Sequence, residues 1–169
     1  MEASPATTAP GVRDLYQNGA PVNGTNEVQR ITINGSPTGG TWTLSYTENG
    51  LTDTTTPLAH NANAAAIAAA LNALPNIGPG GVTVSGTGPF DVTFVAGNVG
   101  GRNVPQLVAA SAFTGGTSPA VVMSTTTPGV RGSWGGIAPR GGRLTNLDNG
   151  FTYVNTGTDW TPVWTQLNN

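Results

Sequence analysis

The sequence predicts an α+β fold that is mainly β: a sandwich-like domain of antiparallel sheet with one packed, alanine-rich helix. Several segments alternate apolar and polar residues with the period of two that a half-buried strand requires. Gly or Pro stands at almost every junction between these segments. One segment instead consists mostly of alanine and has larger apolar residues at helical spacing. An extended N-terminal arm and a small C-terminal β-hairpin region are expected to flank this domain.

Composition divides the chain of 169 residues into three parts. Residues 1–25 are rich in Pro, Thr, Ala and Gly and have no strand or helix period. They are predicted to form an extended arm that lies along a neighbouring subunit or, alternatively, a disordered tail. Residues 26–129 hold the predicted core domain. Residues 130–169 are predicted to form a Gly-rich linker and a β-hairpin.

Alternation of apolar and polar residues is clearest in the first half of the core domain. Trp42, Leu44 and Tyr46 fall on one face of the strand predicted over residues 41–47. A glycine-containing turn joins this strand to the preceding one, so the two are predicted to form a hairpin. All strands predicted in the core domain are, in chain order, 28–34, 41–47, 55–60, 82–85, 90–96, 104–110 and 120–126. The C-terminal hairpin is predicted to pair residues 151–155 with 163–167.

The helix is predicted over about 62–74. Asn61 or Asn63 can cap its N-terminus, and the proline that follows residue 74 ends it. A helix of this length is marginal in water by itself, so we expect it to pack on a sheet. Its apolar stripe at i, i+4 and i+7 consists of Ile67, Leu71 and Leu74.

Charge and cysteine content exclude several classes of function. Only 8% of the residues are charged, against about 25% in an average protein. The six basic residues are all arginines and form no basic stripe, so no nucleic-acid partner is expected. Without cysteine, neither disulfides nor thiolate metal sites can form. No apolar run resembles a signal peptide or a membrane span, so we expect synthesis in a cytoplasm, without export, and no membrane partner.

The sequence offers no arrangement of residues that performs catalysis. His60 is the sole histidine, and neither a second imidazole for a metal nor a nucleophile elbow accompanies it. The segment 148–150 resembles half of a calcium loop but lacks its closing Glu, so it is interpreted as a turn. The carboxylates are scattered, and no lysine is available for a phosphate-binding loop. We therefore predict no enzyme activity, no cofactor and no bound metal.

Apolar and aromatic residues near both ends of the chain are the predicted partner contacts. Three of the four tryptophans follow residue 130, in a segment too short to bury so much aromatic area by itself. A surface poor in Lys and Glu that retains Arg and aromatic residues is typical of protein interfaces. The predicted contact residues are Leu15, Tyr16, Trp134, Trp160 and Trp164.

Three segments of the core domain resemble a module that recurs in tailed bacteriophages of actinobacteria. They read VQRITINGSPTGGTWTLSY, NANAAAIAAALNALPNIG and VTVSGTGPFDVTFVAGNVGGRNVPQL, the last continuing to the ending TGGTSPAVVMSTTTPG. In that family these pieces follow one another in this order. The C-terminal YVNTGTDWTPVWTQL also resembles the ends of phage head-decoration and head-fibre proteins.

The resemblance implies a virion structural protein, made in the cytoplasm of a bacterial host and located on the capsid exterior. It would act as a decoration, or minor capsid, protein that cements neighbouring subunits of the major capsid protein from the outer face of the head. Self-association, for example into a trimer, is compatible with this role. Because the module also occurs in tail-associated proteins, the alternative is a tail, fibre or displayed module that binds host-surface glycans.

Overall fold

The computed structural model describes residues 14–133, 135 and 138–167. Within them it has twelve β-strands and one α-helix, with 42% of residues in strands and 6% in the helix. The predicted mainly β fold with one helix is therefore confirmed. The chain divides into two compact units. We call Thr25–Val130 the core unit, and Met1–Gly24 together with Arg131–Asn169 the terminal unit.

The elements follow one another with short connections, most of which contain glycine. In chain order they are β1 (Asp14–Gln17), β2 (Val28–Asn34), β3 (Gly39–Glu48), β4 (Leu51–Thr54), β5 (Leu58–Ala59), α1 (Ala64–Asn72), β6 (Val82–Ser85), β7 (Phe90–Phe94), β8 (Val108–Thr114), β9 (Ala120–Thr127), β10 (Arg143–Asn146), β11 (Thr152–Asn155) and β12 (Trp164–Gln166).

The core unit is sandwich-like because its strands form two sheets that share one core. The first sheet has the order β6-β7-β2-β9. In the second, β3 is central, with β4 and β5 paired to one of its edges and β8 to the other. Every strand pair in the core unit is antiparallel. The chain crosses between the two sheets four times, first between β2 and β3. The predicted hairpin of these two strands is therefore wrong: each pairs with strands that are more distant in the chain or that follow it in its own sheet.

Side chains from both sheets and from α1 fill the core of this unit. Trp42, Leu44 and Tyr46 on β3 are each at most 1% exposed, as the alternation in the sequence predicts. Ile67 and Leu71 bring the apolar stripe of α1 into the same cluster. Burial of one such side chain contributes about 1.5–3 kcal/mol, so packing on the sheets compensates for the short length of the helix.

The ends of α1 lie inside the predicted range of 62–74. Asn63 caps the helix, and its side-chain oxygen accepts a hydrogen bond from the N–H of Ala66 at 2.9 Å. After the cap residue Ala73, the backbone continues in tighter turns in which the N–H of Leu74 donates to the carbonyl of Leu71. Leu74 remains buried although it follows the helix, so its position in the apolar stripe was predicted correctly.

Strand β8 begins at Val108, four residues later than predicted. The N–H of Val104 donates to the carboxylate of Glu27 at 2.9 Å, and the N–H of Leu107 donates to the side chain of Gln29 at 2.8 Å. These backbone groups therefore bond to side chains instead of to a neighbouring strand. The apolar residues are buried as a strand would bury them, and for this reason the sequence resembled one.

The terminal unit contains one four-stranded sheet with the order β1-β10-β11-β12. Strands β11 and β12 pair as an antiparallel hairpin, as predicted, and β10 pairs antiparallel with β11. Strand β1 joins the sheet by parallel pairing with β10. Tyr153 packs against a small core formed by Leu15, Ala138, Leu144 and Trp164.

The division predicted for the two ends of the chain differs from the structure. Residues 1–25 and 130–169 were expected to be separate parts, whereas residues 14–24 lie in the same unit as the C-terminal segment. The reason is the parallel register of β1 and β10, which sets Leu15 opposite Leu144. A four-residue strand whose partner is distant in the chain leaves no local pattern. The predicted arm over residues 1–13 lies outside the described residues.

Candidate contact surface

The predicted contact residues differ in exposure. Leu15 and Trp164 are each only 8% exposed, whereas Tyr16 is 56% exposed. Trp160 is half-buried. Trp134 lies outside the described residues. Of the five residues, Tyr16 and Trp160 are therefore the two whose side chains the structure describes as accessible to a partner.

Leu15 and Trp164 stabilise the terminal unit and offer little surface. Successive side chains of a strand point to opposite faces, so Leu15 faces the core and Tyr16 faces outward. The indole N–H of Trp164 donates to the carbonyl of Ser133 at 3.1 Å, and its backbone N–H donates to the side chain of Asn23 at 2.8 Å. Aromatic content alone could not distinguish a core residue from a contact residue.

Three exposed apolar side chains, which we call the apolar rim, lie at one end of the terminal sheet: Tyr16, Leu147 and Phe151, exposed by 56, 60 and 39%. The N–H of Leu147 donates to the carbonyl of Gln17, the residue after Tyr16, at 2.8 Å. The N–H of Asn146 donates to the carbonyl of Phe151 at 2.9 Å. These bonds place Leu147, just after β10, and Phe151, just before β11, at the end of the sheet where β1 also ends.

The turn that carries the apolar rim is held by side chains. Buried Asn146 accepts a hydrogen bond from the N–H of Asp148 at 2.9 Å, and Asn149 accepts one from the N–H of Phe151 at 3.0 Å. The carboxylate of Asp148 accepts one from the N–H of Gly19 at 2.7 Å. The interpretation of residues 148–150 as a turn therefore agrees with these bonds. A turn fixed in this way loses little conformational freedom when a partner binds.

Among the described residues of the terminal unit, the large apolar residues that are exposed are about as numerous as those buried in its core. Four buried hydrophobic residues form that core. Scattered apolar residues on a protein surface are ordinary, but a cluster of them marks an interaction site. The large hydrophobic residues of this unit that are exposed are Tyr16, Val22, Leu147, Phe151 and Val163.

Several carboxylates of the core unit already have partners within the unit. Arg30 and Asp91 form an ion pair at 2.7 Å, and the hydrogen bond from Arg30 lowers the pKa of the Asp91 carboxyl. Glu48 accepts hydrogen bonds from Tyr46 and, at 3.0 Å, from Arg102. These pairs leave the carboxylates of Asp91 and Glu48 already bonded within the core unit.

Two comparisons with known proteins, and a search of the described residues for a metal site and a membrane span, found no candidate. No protein-family model matches the chain, and a search of curated proteins found no match. Within residues 14–133, 135 and 138–167, no three His, Asp or Glu side chains are grouped so that they could hold a metal ion. No helix in the same residues has the length and apolar character needed to span a membrane.

Proposed function

We propose that this protein is a non-catalytic decoration, or minor capsid, protein of a bacteriophage head. It binds the outer face of the assembled shell and cements neighbouring major capsid subunits. The observation that carries this proposal is the exposed apolar surface of the terminal unit. The resemblance of the sequence to phage head-decoration and head-fibre proteins supplies the class of partner.

The apolar rim has the composition of a binding hot spot. Tyr16 supplies a large apolar ring and a hydroxyl, a combination enriched in protein interfaces. Leu147 and Phe151 add apolar area beside it, and removing such area from water stabilises a complex by about 25 cal/mol per Å². Because the underlying turn is already ordered, binding does not carry the additional cost of ordering it, and only the loss of translational, rotational and side-chain freedom offsets this gain.

Half-buried Trp160 extends the proposed contact surface along the terminal unit. Its neighbour Thr161 donates its backbone N–H to the hydroxyl of Thr158 at 3.0 Å, so the segment that carries Trp160 is ordered. Leu15 and Trp164, which the sequence suggested as contacts, support this surface from the core. Assembly of the protein on itself, for example as a trimer, stays a prediction that light scattering of the purified chain can test.

The proposal is tested by adding purified protein to phage heads assembled without it and measuring how much remains bound. We expect the wild type to saturate the shell, and the double variant Tyr16→Ser/Leu147→Ser to bind at least about tenfold more weakly. Leu51→Ser is the matched control, because Leu51 is 70% exposed on β4 of the core unit. Its occupancy should equal that of the wild type.

Two results would overturn the proposal. If the wild-type protein does not bind purified heads, the capsid is not its partner. Equal occupancy by the wild type and the Tyr16→Ser/Leu147→Ser variant would remove the apolar rim as the contact. Heating the decorated and bare shells in parallel measures cementing directly, since a cementing protein raises the temperature at which the shell opens.

A further inference from the structure

A cleft on the core unit has the size of a small-molecule site. Its volume is about 550 Å³, within the range of about 300–1,000 Å³ that ligand pockets occupy. Three chain segments line it: the end of β2 with the turn that follows (residues 32–37), the segment before α1 (60–62), and the turn that leads into β7 (87–90). Loops held on a rigid sandwich are a common location for binding sites.

Five polar side chains line this cleft, and their donors and acceptors are available to a ligand. In the described residues, none of these side chains forms a hydrogen bond to another protein group. Together they present hydroxyl, amide and imidazole groups, which both donate and accept. The five are Thr32, Ser36, His60, Asn61 and Thr87.

The cleft carries no Asp, Glu, Lys or Arg among its lining residues. Arg30, two residues before Thr32 on β2, makes two hydrogen bonds to the carboxylate of Asp91, at 2.7 and 2.8 Å, and is therefore already paired. Ile33 and Phe90 add apolar surface between the polar groups. The site is consequently half polar and half apolar, without a formal charge to attract an ion.

The uncharged polar and apolar lining of the cleft indicates which class of ligand it can bind. A charged ligand would lose its hydration without meeting an opposite charge, which is unfavourable. A wholly apolar ligand would leave the hydroxyl, amide and imidazole groups unpaired. A neutral saccharide satisfies both demands, since its hydroxyls pair with the polar groups and its C–H faces pack on the apolar ones. We propose that the cleft of the core unit binds a neutral saccharide.

The backbone around the cleft is held in position before any ligand binds. Ser36 has a φ of 49°, a left-handed conformation that is uncommon outside glycine and asparagine. The N–H of Thr117 donates to the carbonyl of Gly35 at 2.9 Å and fixes this turn. The N–H of His60 donates to the carbonyl of Gly40 at 3.1 Å and fixes the segment before α1. Strained residues that the surrounding structure holds in place are concentrated at binding sites.

The test uses His60, which as the sole histidine gives one pair of imidazole C–H signals, Hδ2 and Hε1, in a proton NMR spectrum recorded in D2O. Full-length protein is titrated with methyl glycosides of glucose, galactose, mannose and N-acetylglucosamine. We expect at least one of them to shift the His60 signals in a saturable manner. Glucuronate, glucosamine and a capped Gly-Ser-Gly peptide form the comparison set. No saturable shift with any neutral glycoside, or a saturable shift with the peptide or a charged sugar alone, would overturn the proposal.

Variants then tie binding to the cleft. Asn61 and Thr87 are both exposed, so their replacement by alanine leaves the core intact. We expect Asn61→Ala and Thr87→Ala each to weaken saccharide binding about tenfold, the effect of losing one hydrogen bond. Ser124→Ala, exposed on β9 outside the cleft, is the control and should bind as the wild type does.

Unchanged affinity in the Asn61→Ala/Thr87→Ala double variant would show that any sugar binds elsewhere, and would overturn the assignment. The same double variant keeps Tyr16 and Leu147, so its occupancy on phage heads should equal that of the wild type. Saccharide binding and head binding are thus measured on different variants, and either proposal can fail without the other.

Discussion

The side-chain amide of Gln29 donates a hydrogen bond to the carboxylate of Glu27, with Nε2 and Oε1 2.6 Å apart, and both residues are buried. The second carboxylate oxygen of Glu27 accepts from the N–H of Val104. Gln29 also donates to the carbonyl of Pro105 at 3.1 Å and accepts from the N–H of Leu107. The side chain of Gln29 on β2 and that of Glu27, the residue just before β2, thus satisfy the backbone of a buried segment that has no neighbouring strand.

Replacing Glu27 should therefore destabilise the core unit in a graded way. Glu27→Ala leaves two buried donors without an acceptor, and each such group costs about 1–3 kcal/mol, so we expect a loss of about 3 kcal/mol. Glu27→Gln keeps one carbonyl oxygen and should lose about half as much. Urea denaturation measures both values, with exposed Asp159→Asn as the neutral control. A Glu27→Ala protein as stable as the wild type would contradict this account of the segment.

A second carboxylate, half-buried Glu48, makes stability depend on acid pH. Burial of Glu48 opposes its charged form, but hydrogen bonds from Tyr46 and Arg102 outweigh that effect and hold the pKa of Glu48 below its ordinary 4.5. The folded protein therefore keeps this carboxylate ionised at a pH at which the unfolded chain has already bound a proton. The stabilisation by Glu48 is complete above the pKa that this residue has in the unfolded chain. It disappears as the pH falls through the lower pKa that Glu48 has in the folded protein.

We expect the free energy of unfolding to decrease as the pH is lowered from about 5 to about 3, and Glu48→Gln to flatten part of that decrease. The part removed should be at most about 1 kcal/mol, because the pair with Arg102 is partly open to solvent. Tyr46→Phe, which removes one of the two donors, should give an intermediate slope. If Glu48→Gln and wild type show parallel pH profiles, Glu48 does not contribute to acid sensitivity.

Local patterns in the sequence were sufficient to predict many of the secondary-structure elements and buried residues of the core unit. In β3, Trp42, Leu44 and Tyr46 alternate over a long strand, so the buried face follows from the period of two. The side-chain chemistry of asparagine predicted a cap at Asn61 or Asn63, and the structure has it at Asn63. In both cases the residues that decide the structure are neighbours in the chain.

The sequence did not predict those parts of the fold that depend on contacts between segments distant in the chain. The pairing of β1 with β10 and the bonds from Glu27 and Gln29 to residues 104–107 join segments that local periodicity treats separately. Strand β4 was missed because its first residue, Leu51, is exposed and the strand has no buried face.

The apolar rim was only partly recognised from the sequence. Tyr16 was predicted as a contact, but Leu147 and Phe151 were not. A usable signal was present, since the two apolar residues flank the turn sequence Asp148-Asn149-Gly150. Residues at the tip of a tight turn are exposed in most folds, so apolar residues there are candidates for contact.

Gly116, in the turn between β8 and β9, gives a third prediction. The N–H of Thr117 donates to the carbonyl of Gly35 at 2.9 Å, so this turn lies beside the turn between β2 and β3. Gly116 has a φ of 73°, and a Cβ there would lie only 2.0 Å from the carbonyl oxygen of Gly35. Gly50 has a similar φ of 80° but open space around it.

Gly116→Ala and Gly50→Ala should therefore differ although both glycines have a left-handed backbone. We expect Gly50→Ala to cost about 1 kcal/mol, the conformational penalty alone. Gly116→Ala should cost about 3 kcal/mol or more, because the backbone of the adjacent turn must also move. Thermal denaturation compares the two variants. Equal losses would mean that the turn around Gly116 is not tightly packed against the turn around Gly35.

The last prediction concerns Leu15, which belongs to the core of the terminal unit. Two tryptophan indoles report on the two units separately. The indole N–H of Trp164 donates to the carbonyl of Ser133 at 3.1 Å in the terminal unit, and that of Trp42 donates to the carbonyl of Ala59 at 3.0 Å in the core unit. Each indole proton exchanges with solvent only when its own surroundings open.

Leu15→Ala removes a large share of this core, to which the described residues contribute four buried hydrophobic side chains. A buried Leu→Ala change costs about 2–5 kcal/mol, and a cost of about 2 kcal/mol makes local opening about thirtyfold more frequent. Exchange of the Trp164 indole should accelerate by at least that factor, while exchange of the Trp42 indole stays unchanged. Tyr16→Ala, on the outward face of the same strand, is the matched control and should alter neither rate. An unaffected Trp164 rate in Leu15→Ala would mean that β1 is dispensable to the terminal unit and that residues 14–24 act as the free arm first expected from the sequence.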